Sequence, residues 1–221
     1  MSHDALGDAR PFIESRGFGG HVTPGQRPAI LVVDLARGFT DTRFAIGANL
    51  DDVVAANVRL LAAARARDVP VFFFTAAYRP DFKDAGLVPQ KQPGCKVLLI
   101  GSDAVEIDPR LAPRDNEPVI VKKAPSAFFG TNLDTMLWAA GVDTLIVTGV
   151  STSACVRTTA VDGFSHGFPV LVPRECCGDR DPRAHDANLY DIQAKIGEVI
   201  SLDEAVTYLR TLSGDNRDPA A

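Results

Sequence analysis

The sequence predicts an α/β fold: a three-layer α/β/α sandwich in which a doubly wound, mainly parallel sheet of about six strands lies between two layers of helices. Short apolar runs rich in Val, Ile and Phe are typical of strands buried on both faces of a parallel sheet. Segments with helical periodicity alternate with these runs along the chain. Such alternation implies right-handed crossovers, which place helices on both faces of the sheet.

The strands and helices follow one another in a regular order. The predicted strands are Ala29–Val33, Val71–Phe74, Val119–Val121, Thr144–Thr148, Val170–Val172 and Glu198–Ile200. The predicted helices are Asp51–Arg67, Asn132–Ala140, Cys155–His166, Pro182–Lys195 and Leu202–Leu212. Ser201 precedes the last helix, with Glu204 three residues further on, which is the pattern of a capping box.

The length and composition favour one domain. The chain has 221 residues, of which 46% are hydrophobic, and this is enough for a single large core. We expect the domain to cover residues 26–212. The segments on either side, an N-terminal arm over residues 1–25 and a tail over residues 213–221, are rich in Gly, Asp or Pro and are expected to be peripheral.

The charge balance excludes several classes of partner. A formal net charge of −5 and a pI near 5.3 provide no positive field for nucleic acid or for an anionic membrane surface. The longest apolar runs are far shorter than the roughly 20 residues that span a bilayer, and the N-terminus lacks the apolar stretch of a secretory signal. We therefore expect a cytoplasmic protein without a nucleic-acid or membrane partner. The four cysteines show no CxxC spacing, so we expect no disulfide or zinc framework.

Polar residues stand at the points where three apolar strands end. Asp34 follows the first strand, Lys122 follows the third, and Cys155 lies beyond the fourth. Because the carboxyl ends of parallel strands share one edge, the three side chains should face the same site. A buried Asp and Lys can compensate each other's charge, and the helix dipole and the ammonium group would favour a Cys155 thiolate. Taken singly, each residue also fits a turn, a solvated surface or an inert core, and the spacing leaves both interpretations open.

Several segments resemble the signature segments of the isochorismatase-like superfamily of cysteine hydrolases. They are GQRPAILVVDLARGFTD, VKKAPSAFFGTNL and VTGVSTSACVRTTAVD, in the family's order. The resemblance extends from about Gly25 to Leu212. Within the superfamily, the SAFFGT, STSACVRTTAVD and GDR segments are similar to the branch of N-carbamoylsarcosine amidohydrolases, maleamate amidohydrolases and biuret hydrolases.

The resemblance implies a catalytic role for Asp34, Lys122 and Cys155. The family's lysine lies four residues before the serine of the Ser-Ala-Phe segment, and this spacing selects Lys122 over the adjacent Lys123. Alternation along a strand also places these two lysines on opposite faces, so only one can reach Cys155.

The resemblance further implies an oxyanion site and a distinctive peptide bond beside it. The backbone N–H groups of Ser151 and Cys155 would bind the oxyanion. A non-proline cis peptide bond would join Val150 to Ser151, a conformation that is rare because it costs about 3–4 kcal/mol.

Residues that would bind the substrate are also implied. Arg180 resembles the residue that holds the substrate carboxylate in the carbamoylsarcosine enzymes, and a guanidinium fork suits a carboxylate. A solvated surface arginine flanked by Asp179 and Asp181 is the alternative. Phe39, Tyr78 and Phe128 are expected to wall the pocket, although aromatic residues at strand ends also fit a core. Gln193 could reach the amide, with solvent or neighbouring backbone as the alternative partner.

No metal or other cofactor is expected. Nicotinamidases of the superfamily carry an Asp-x-His metal site after the second strand, but Thr75–Pro80 contains no histidine, so nicotinamide is not the expected substrate either. His166 and His185 lack ligand spacing and are expected to be structural, and the pair Cys176 and Cys177 is expected to pack in the core. The resemblance also implies a homotetramer.

The activity implied by the resemblance is hydrolysis of a small N-carbamoyl (ureido) or primary amide substrate that bears a carboxylate, through a thioester and with release of ammonia. Maleamate hydrolysis and biuret-type hydrolysis are the alternatives within the branch. Vinyl-ether cleavage of the isochorismatase type proceeds without the cysteine, so Cys155 argues against it. A non-catalytic binding protein on the same fold is a further alternative.

Overall fold

The computed structural model describes residues 10–213, and its centre is a seven-stranded parallel sheet. The strands are β1 (Pro28–Val33), β2 (Val71–Ala76), β3 (Val119–Lys122), β4 (Thr144–Val150), β5 (Val170–Pro173), β6 (Cys177–Gly178) and β7 (Glu198–Ile200). Their order across the sheet is β3-β2-β1-β4-β5-β7, and β6 pairs with the end of β4 beyond β5. The prediction of six strands missed β6, because two residues are too few to form an apolar pattern.

Helices precede, connect and follow the strands. They are α1 (Arg10–Ser15), α2 (Arg37–Thr40), α3 (Asp51–Arg65), α4 (Val88–Lys91), α5 (Leu133–Ala139), α6 (Arg157–Ser165), α7 (Pro182–Lys195) and α8 (Leu202–Thr211). The capping box predicted for the last helix is present, since the Ser201 hydroxyl accepts from the Glu204 amide and the Glu204 carboxylate accepts from the Ser201 amide. Within the described residues, no helix combines the length and the apolarity that crossing a bilayer requires.

Two apolar clusters cover the two faces of the sheet, and they confirm the three-layer prediction. Alternate residues of β1 point to opposite faces: Ile30 and Val32 join one cluster, and Leu31 and Val33 join the other. The first cluster includes residues of α3 and α8, and the second includes residues of α5, α6 and α7. Because β1 and β2 are buried on both faces, their sequences are apolar without alternation.

The strand order creates a crevice at one edge of the sheet. Strands β2 and β3 lie on one side of β1 in the sheet, and β4, β5 and β7 lie on its other side. Loops that leave β1 and β4 in opposite directions open a space at their carboxyl ends, where ligands bind in sheets of this type. The arm predicted over residues 1–25 and the tail predicted over residues 213–221 lie partly outside the described residues. Within the arm, the Val22 amide bonds to Glu198 and the Gly25 amide bonds to Thr144.

Candidate active site

The ends of β1, β3 and β4 bring Asp34, Lys122 and Cys155 together. The Lys122 ammonium lies 2.8 Å from Asp34 Oδ2 and 3.5 Å from Cys155 Sγ, and it donates to the Ala124 carbonyl at 3.0 Å. The lysine reaches this point from two strands away, because β2 separates β3 from β1. Asp34 has a left-handed backbone with φ of 55°, a conformation that Asp adopts more readily than most residues. The ammonium group therefore contacts both the carboxylate and the sulfur.

The Asp34–Lys122 pair is removed from solvent, but its carboxylate accepts few hydrogen bonds. The Asp34 and Lys122 side chains are 0% and 1% exposed. Among the described residues, neither oxygen of Asp34 has a hydrogen-bond partner besides the Lys122 ammonium and the neighbouring Cys155 thiol. Buried charges normally collect several hydrogen bonds. The carboxylate therefore keeps lone pairs that can accept a proton.

The environment of Cys155 makes its thiol less acidic than a free cysteine. Burial, together with the nearby Asp34 carboxylate, raises the pKa of Cys155 to about 12, and the Lys122 ammonium offsets this only in part. Burial also works against the charge of Lys122, but the Asp34 carboxylate and the Cys155 sulfur outweigh it and raise the lysine pKa. Burial and the Asp34 carboxylate thus oppose the thiolate that the helix dipole and the ammonium were expected to favour, because a carboxylate disfavours a second negative charge beside it.

The cysteine lies in a distorted turn between β4 and α6. We call residues 151–156 the cysteine turn; Thr152–Val156 forms a π-helical turn before the regular α-helix begins at Arg157. The amides of Ala154 and Val156 both bond to the Ser151 carbonyl, at 3.0 and 3.2 Å. The peptide bond between Val150 and Ser151 is cis, as expected from the resemblance. The predicted helix from Cys155 to His166 thus begins two residues later than expected.

A glycine allows β4 to approach β1 just before the cysteine turn. Gly149 has φ of +114°, and a Cβ at this position would lie 1.9 Å from the Val33 carbonyl oxygen. Val33 and Gly149 are paired in the register of the two strands. Only glycine fits this position, which is adjacent to both Asp34 and the cysteine turn.

A cavity of about 410 Å³ opens above the three residues. Phe39, Ile46, Tyr78, Cys95 and Leu98 form much of its wall, and Ser151, Asp179 and Arg180 lie among its polar lining residues. A larger hollow of about 560 Å³ lies at the amino ends of the strands, away from these three residues; of its charged residues, Arg27 pairs with Asp143 and Arg67 donates to two backbone carbonyls. The smaller cavity is therefore the candidate for chemistry.

Arg180 is held at this cavity by contacts on several sides. Its Nη1 lies 3.2 Å from Ser151 Oγ, its Nη2 donates to the Ile46 carbonyl, and its guanidinium lies over the Phe39 ring with 5.9 Å to the centroid. Within residues 10–213, no carboxylate forms an ion pair with Arg180. Its guanidinium therefore lines the cavity without a carboxylate in direct contact in this part of the chain.

Two residues predicted for substrate contact lie elsewhere, and these predictions are corrected. The Phe128 ring stacks on His166 with 4.8 Å between centroids and joins the second apolar cluster, because burial against that helix layer removes it from the strand edge. Gln193 is held by backbone and side-chain partners: its Nε2 donates to Glu198 at 3.1 Å and its Oε1 accepts from the Val199 amide at 2.7 Å. Phe39 and Tyr78 do line the cavity.

Other lining residues carried little signal in the sequence. Cys95 and Leu98 belong to an irregular segment between β2 and β3 that has no periodicity, so no pattern placed it over the site. Asp179 could have been found as the neighbour of Arg180 in the GDR segment. Its carboxylate accepts from the Ser153 amide at 2.8 Å and thereby contacts the cysteine turn. Among the described residues, no three His, Cys, Asp or Glu side chains are placed to share a metal ion.

Comparison with known proteins assigns the family. The model of the isochorismatase domain matches residues 28–204. An N-carbamoylsarcosine amidase from Arthrobacter sp. is 42% identical over 89% of this chain and 76% of its own length, and a maleamate amidohydrolase from Pseudomonas putida is 39% identical over 89% and 93%. The crystal structure of a cysteine hydrolase from Pseudomonas syringae pv. phaseolicola, 28% identical, superposes with a TM-score of 0.82 over 88% of this chain and 97% of that chain. The chain belongs to the isochorismatase family of hydrolases.

Proposed function

We propose that this protein is a cysteine amidohydrolase that cleaves a small N-carbamoyl (ureido) or primary amide substrate bearing a carboxylate, with release of ammonia. The observation that supports this most directly is the contact of one buried ammonium with both Asp34 and Cys155 at the base of a cavity. Nucleophile, base and orienting charge are the parts that covalent catalysis by a thiol requires.

The first half of the reaction forms a thioester. As Cys155 Sγ attacks the amide carbonyl, the thiol proton moves to Asp34, so that no free thiolate has to exist beside the carboxylate. The negative charge passes from the carboxylate to the carbonyl oxygen, where the N–H groups of Ser151 and Cys155 would receive it. Asp34 then returns the proton to the nitrogen, the C–N bond breaks, and ammonia leaves. Lys122 stays protonated throughout and holds the Asp34 carboxylate beside the sulfur.

The second half of the reaction regenerates the thiol. Asp34 takes a proton from water, the resulting hydroxyl attacks the acyl or carbamoyl carbon, and the C–S bond breaks as Asp34 returns the proton to sulfur. A primary amide yields a carboxylic acid. A ureido substrate yields a carbamic acid, which decomposes to carbon dioxide and an amine.

Arg180 supports a substrate that carries a carboxylate. Its guanidinium faces the same cavity as Cys155 and lacks an acidic partner within residues 10–213. N-carbamoylsarcosine and maleamate, the substrates in the names of the two relatives described above, each combine a primary amide nitrogen with a carboxylate. We infer the same combination for the substrate of this protein.

Ammonia release from a panel of small amides and ureido acids tests the proposal. The panel contains N-carbamoylsarcosine, maleamate, biuret and an uncharged amide of similar size. We expect the largest kcat/KM for a carboxylated member, and at least a 1000-fold loss in the Cys155→Ser variant, because removing a catalytic nucleophile typically has an effect of about this size or more. Biuret as the best substrate would select the biuret-type alternative. Turnover of none of these compounds, or an active serine variant, would contradict the proposal; the former result would favour a binding protein.

The assembly implied by the resemblance is a separate prediction. Sedimentation equilibrium of the purified chain should give the mass of a tetramer. A monomer over the full concentration range would contradict it without affecting the proposed chemistry.

A further inference from the structure

The hydroxyl of Thr152 connects the cysteine turn to two other elements. Thr152 is fully buried, and its Oγ1 donates to the Gly178 carbonyl at 3.0 Å and lies 2.8 Å from His185 Nδ1. Gly178 belongs to β6, where it pairs with Val150 at the end of β4, and His185 lies on α7. One hydroxyl group therefore joins β6 and α7 to the residue that directly follows Ser151.

The number of available hydrogens decides which group donates in the contact between Thr152 and His185. A threonine hydroxyl carries one hydrogen, and here it is directed to the Gly178 carbonyl, which can only accept. The hydrogen in the short contact with the ring must then come from His185 Nδ1. Burial lowers the pKa of His185, so the ring is neutral near neutral pH and has one N–H. The hydrogen bonds form a chain from His185 Nδ1–H to Thr152 Oγ1–H to the Gly178 carbonyl.

We propose that Thr152 and His185 are positioning residues, which fix the cysteine turn so that the amides of Ser151 and Cys155 converge on the reacting oxygen. The inference rests on the proposed function, because it assigns these residues to that site. Neither side chain is among the residues that line the cavity, so they act through the backbone of the turn and not on the substrate. Asp179 holds the same turn through the Ser153 amide, but it lines the cavity and its substitution would also disturb the pocket.

This role predicts a specific kinetic signature. Oxyanion donors stabilise the tetrahedral state more than the bound amide, so displacing them lowers kcat and leaves KM nearly unchanged. Removing one such donor outright lowers kcat by about 100- to 1000-fold. Thr152 and His185 act indirectly, and we expect a loss of about 10- to 100-fold, below that range.

Matched variants distinguish the effect of losing the hydrogen-bond chain from the effect of altered packing. Thr152→Val keeps the shape of the side chain and removes the hydroxyl, whereas Thr152→Ser keeps the hydroxyl. His185→Leu removes the donor, whereas His185→Asn retains an N–H close to the position of Nδ1. Asn188→Ala is the control: this residue lies one turn further along α7, and its side chain donates to the Ala184 carbonyl of the same helix.

The assay measures kcat and KM for ammonia release from the best substrate of the panel, corrected for the folded fraction. Thr152→Val and His185→Leu should lose about 10- to 100-fold in kcat with KM within about twofold, and Thr152→Ser and His185→Asn should recover most of the loss. Alkylation of Cys155 by iodoacetamide needs no oxyanion site, so its rate should stay within about twofold of wild type in all four variants.

Several results would overturn the proposal. Equal kcat values in Thr152→Val and Thr152→Ser, or a loss in Asn188→Ala as large as in His185→Leu, would assign only a structural role. If Thr152→Val does not fold, the comparison of His185→Leu with His185→Asn tests the proposal instead. A ¹⁵N–¹H spectrum of the imidazole, assigned by comparison with His185→Asn, should show the proton on Nδ1, and a proton on Nε2 alone would refute the chain. A wild-type enzyme that releases no ammonia contradicts the proposed function itself, whereas failure of the variants in an active enzyme contradicts only this inference.

Discussion

A buried ion pair lies at each end of β3, but the carboxylates of the two pairs accept different numbers of hydrogen bonds. At the beginning of the strand, both Glu117 oxygens accept from the Arg65 guanidinium at 2.7 Å, and the carboxylate also accepts from the Arg114 amide. Arg65 donates further to two backbone carbonyls. At the end of the strand, the Lys122 ammonium and the Cys155 thiol are the only partners of the Asp34 carboxylate within residues 10–213.

The number of hydrogen bonds that a carboxylate accepts decides whether its ion pair serves stability or chemistry. A carboxylate whose lone pairs all accept hydrogen bonds is held strongly in its ionised form and has little capacity to take a proton. A carboxylate with one charged neighbour keeps lone pairs that can accept a proton from a thiol in contact with it. The Arg65–Glu117 pair therefore fits a structural role, and the Lys122–Asp34 pair fits a chemical one. Substitutions in each pair should affect different measurements.

The largest effect is expected for Asp34→Asn. Asparagine has the same shape and tolerates the left-handed backbone at this position, but it cannot act as a base. We expect kcat to fall by about 100- to 10,000-fold, the usual contribution of a general base. The carboxylate also raises the pKa of Cys155, so its removal should make the thiol more acidic. Alkylation of Cys155 by iodoacetamide should therefore become faster while ammonia release becomes slower.

Changes of opposite sign in these two rates are the critical result. A loss of shape at the site would slow both reactions, and thermal unfolding of the variant monitors such a loss. If alkylation and hydrolysis decrease together in a folded variant, Asp34 orients Cys155 but is not its base.

Glu117→Gln should give the reverse pattern. Breaking a buried ion pair from one side destabilises a protein by about 3–5 kcal/mol, because the remaining charge is left without its partner. We expect a decrease of this size in the free energy of urea unfolding, with kcat per folded molecule unchanged, since Glu117 lies at the opposite end of β3 from Lys122. A comparable loss in kcat would show that the two ends of the strand are coupled.

The stability conferred by Glu117 should also depend on pH. Burial raises the pKa of Glu117, but hydrogen bonds from Arg65 and from the Arg114 amide outweigh burial and bring the pKa below its usual value. The stabilisation is therefore fully present above the pKa of the unfolded chain and is lost as the pH falls through the lowered pKa of the folded state. In acid, the difference in unfolding free energy between wild type and Glu117→Gln should decrease.

Sequence patterns predicted the layers of the fold and the meeting of Asp34, Lys122 and Cys155. Both depend on a simple geometric fact: the carboxyl ends of parallel strands lie at one edge, so residues that follow β1, β3 and β4 become neighbours. The raised pKa of Cys155 was not predictable in this way, because it depends on burial and on a carboxylate 121 positions away in the sequence. Phe128 was assigned to the pocket from its type and position, but the packing of α6 decided its place.

Arg180→Ala should have a smaller effect, and one that is selective for the substrate. If the guanidinium binds a carboxylate, KM for the carboxylated substrate should rise about 10- to 100-fold, in line with the loss of a charge-assisted hydrogen bond. KM for an uncharged amide of the same size should change little. Arg180→Lys keeps the charge without the fork and should give an intermediate KM. Equal effects on both substrates would contradict the carboxylate assignment and would leave Arg180 as a support for Ser151 and the Ile46 backbone.

The smallest effect, about tenfold per pH unit, is expected in the rate at which iodoacetamide alkylates the wild-type enzyme. Because the pKa of Cys155 is raised to about 12 by burial and by Asp34, its thiolate fraction grows with pH throughout the neutral and mildly alkaline range. Alkylation by iodoacetamide should therefore accelerate about tenfold per pH unit without a plateau below roughly pH 10, with Cys155→Ser as the blank for the other three cysteines. Hydrolysis should not follow this slope, since the proton passes directly to Asp34 during attack. An alkylation plateau near neutral pH would instead demonstrate a resting thiolate, and Asp34 would then be needed only for the proton that the leaving nitrogen receives.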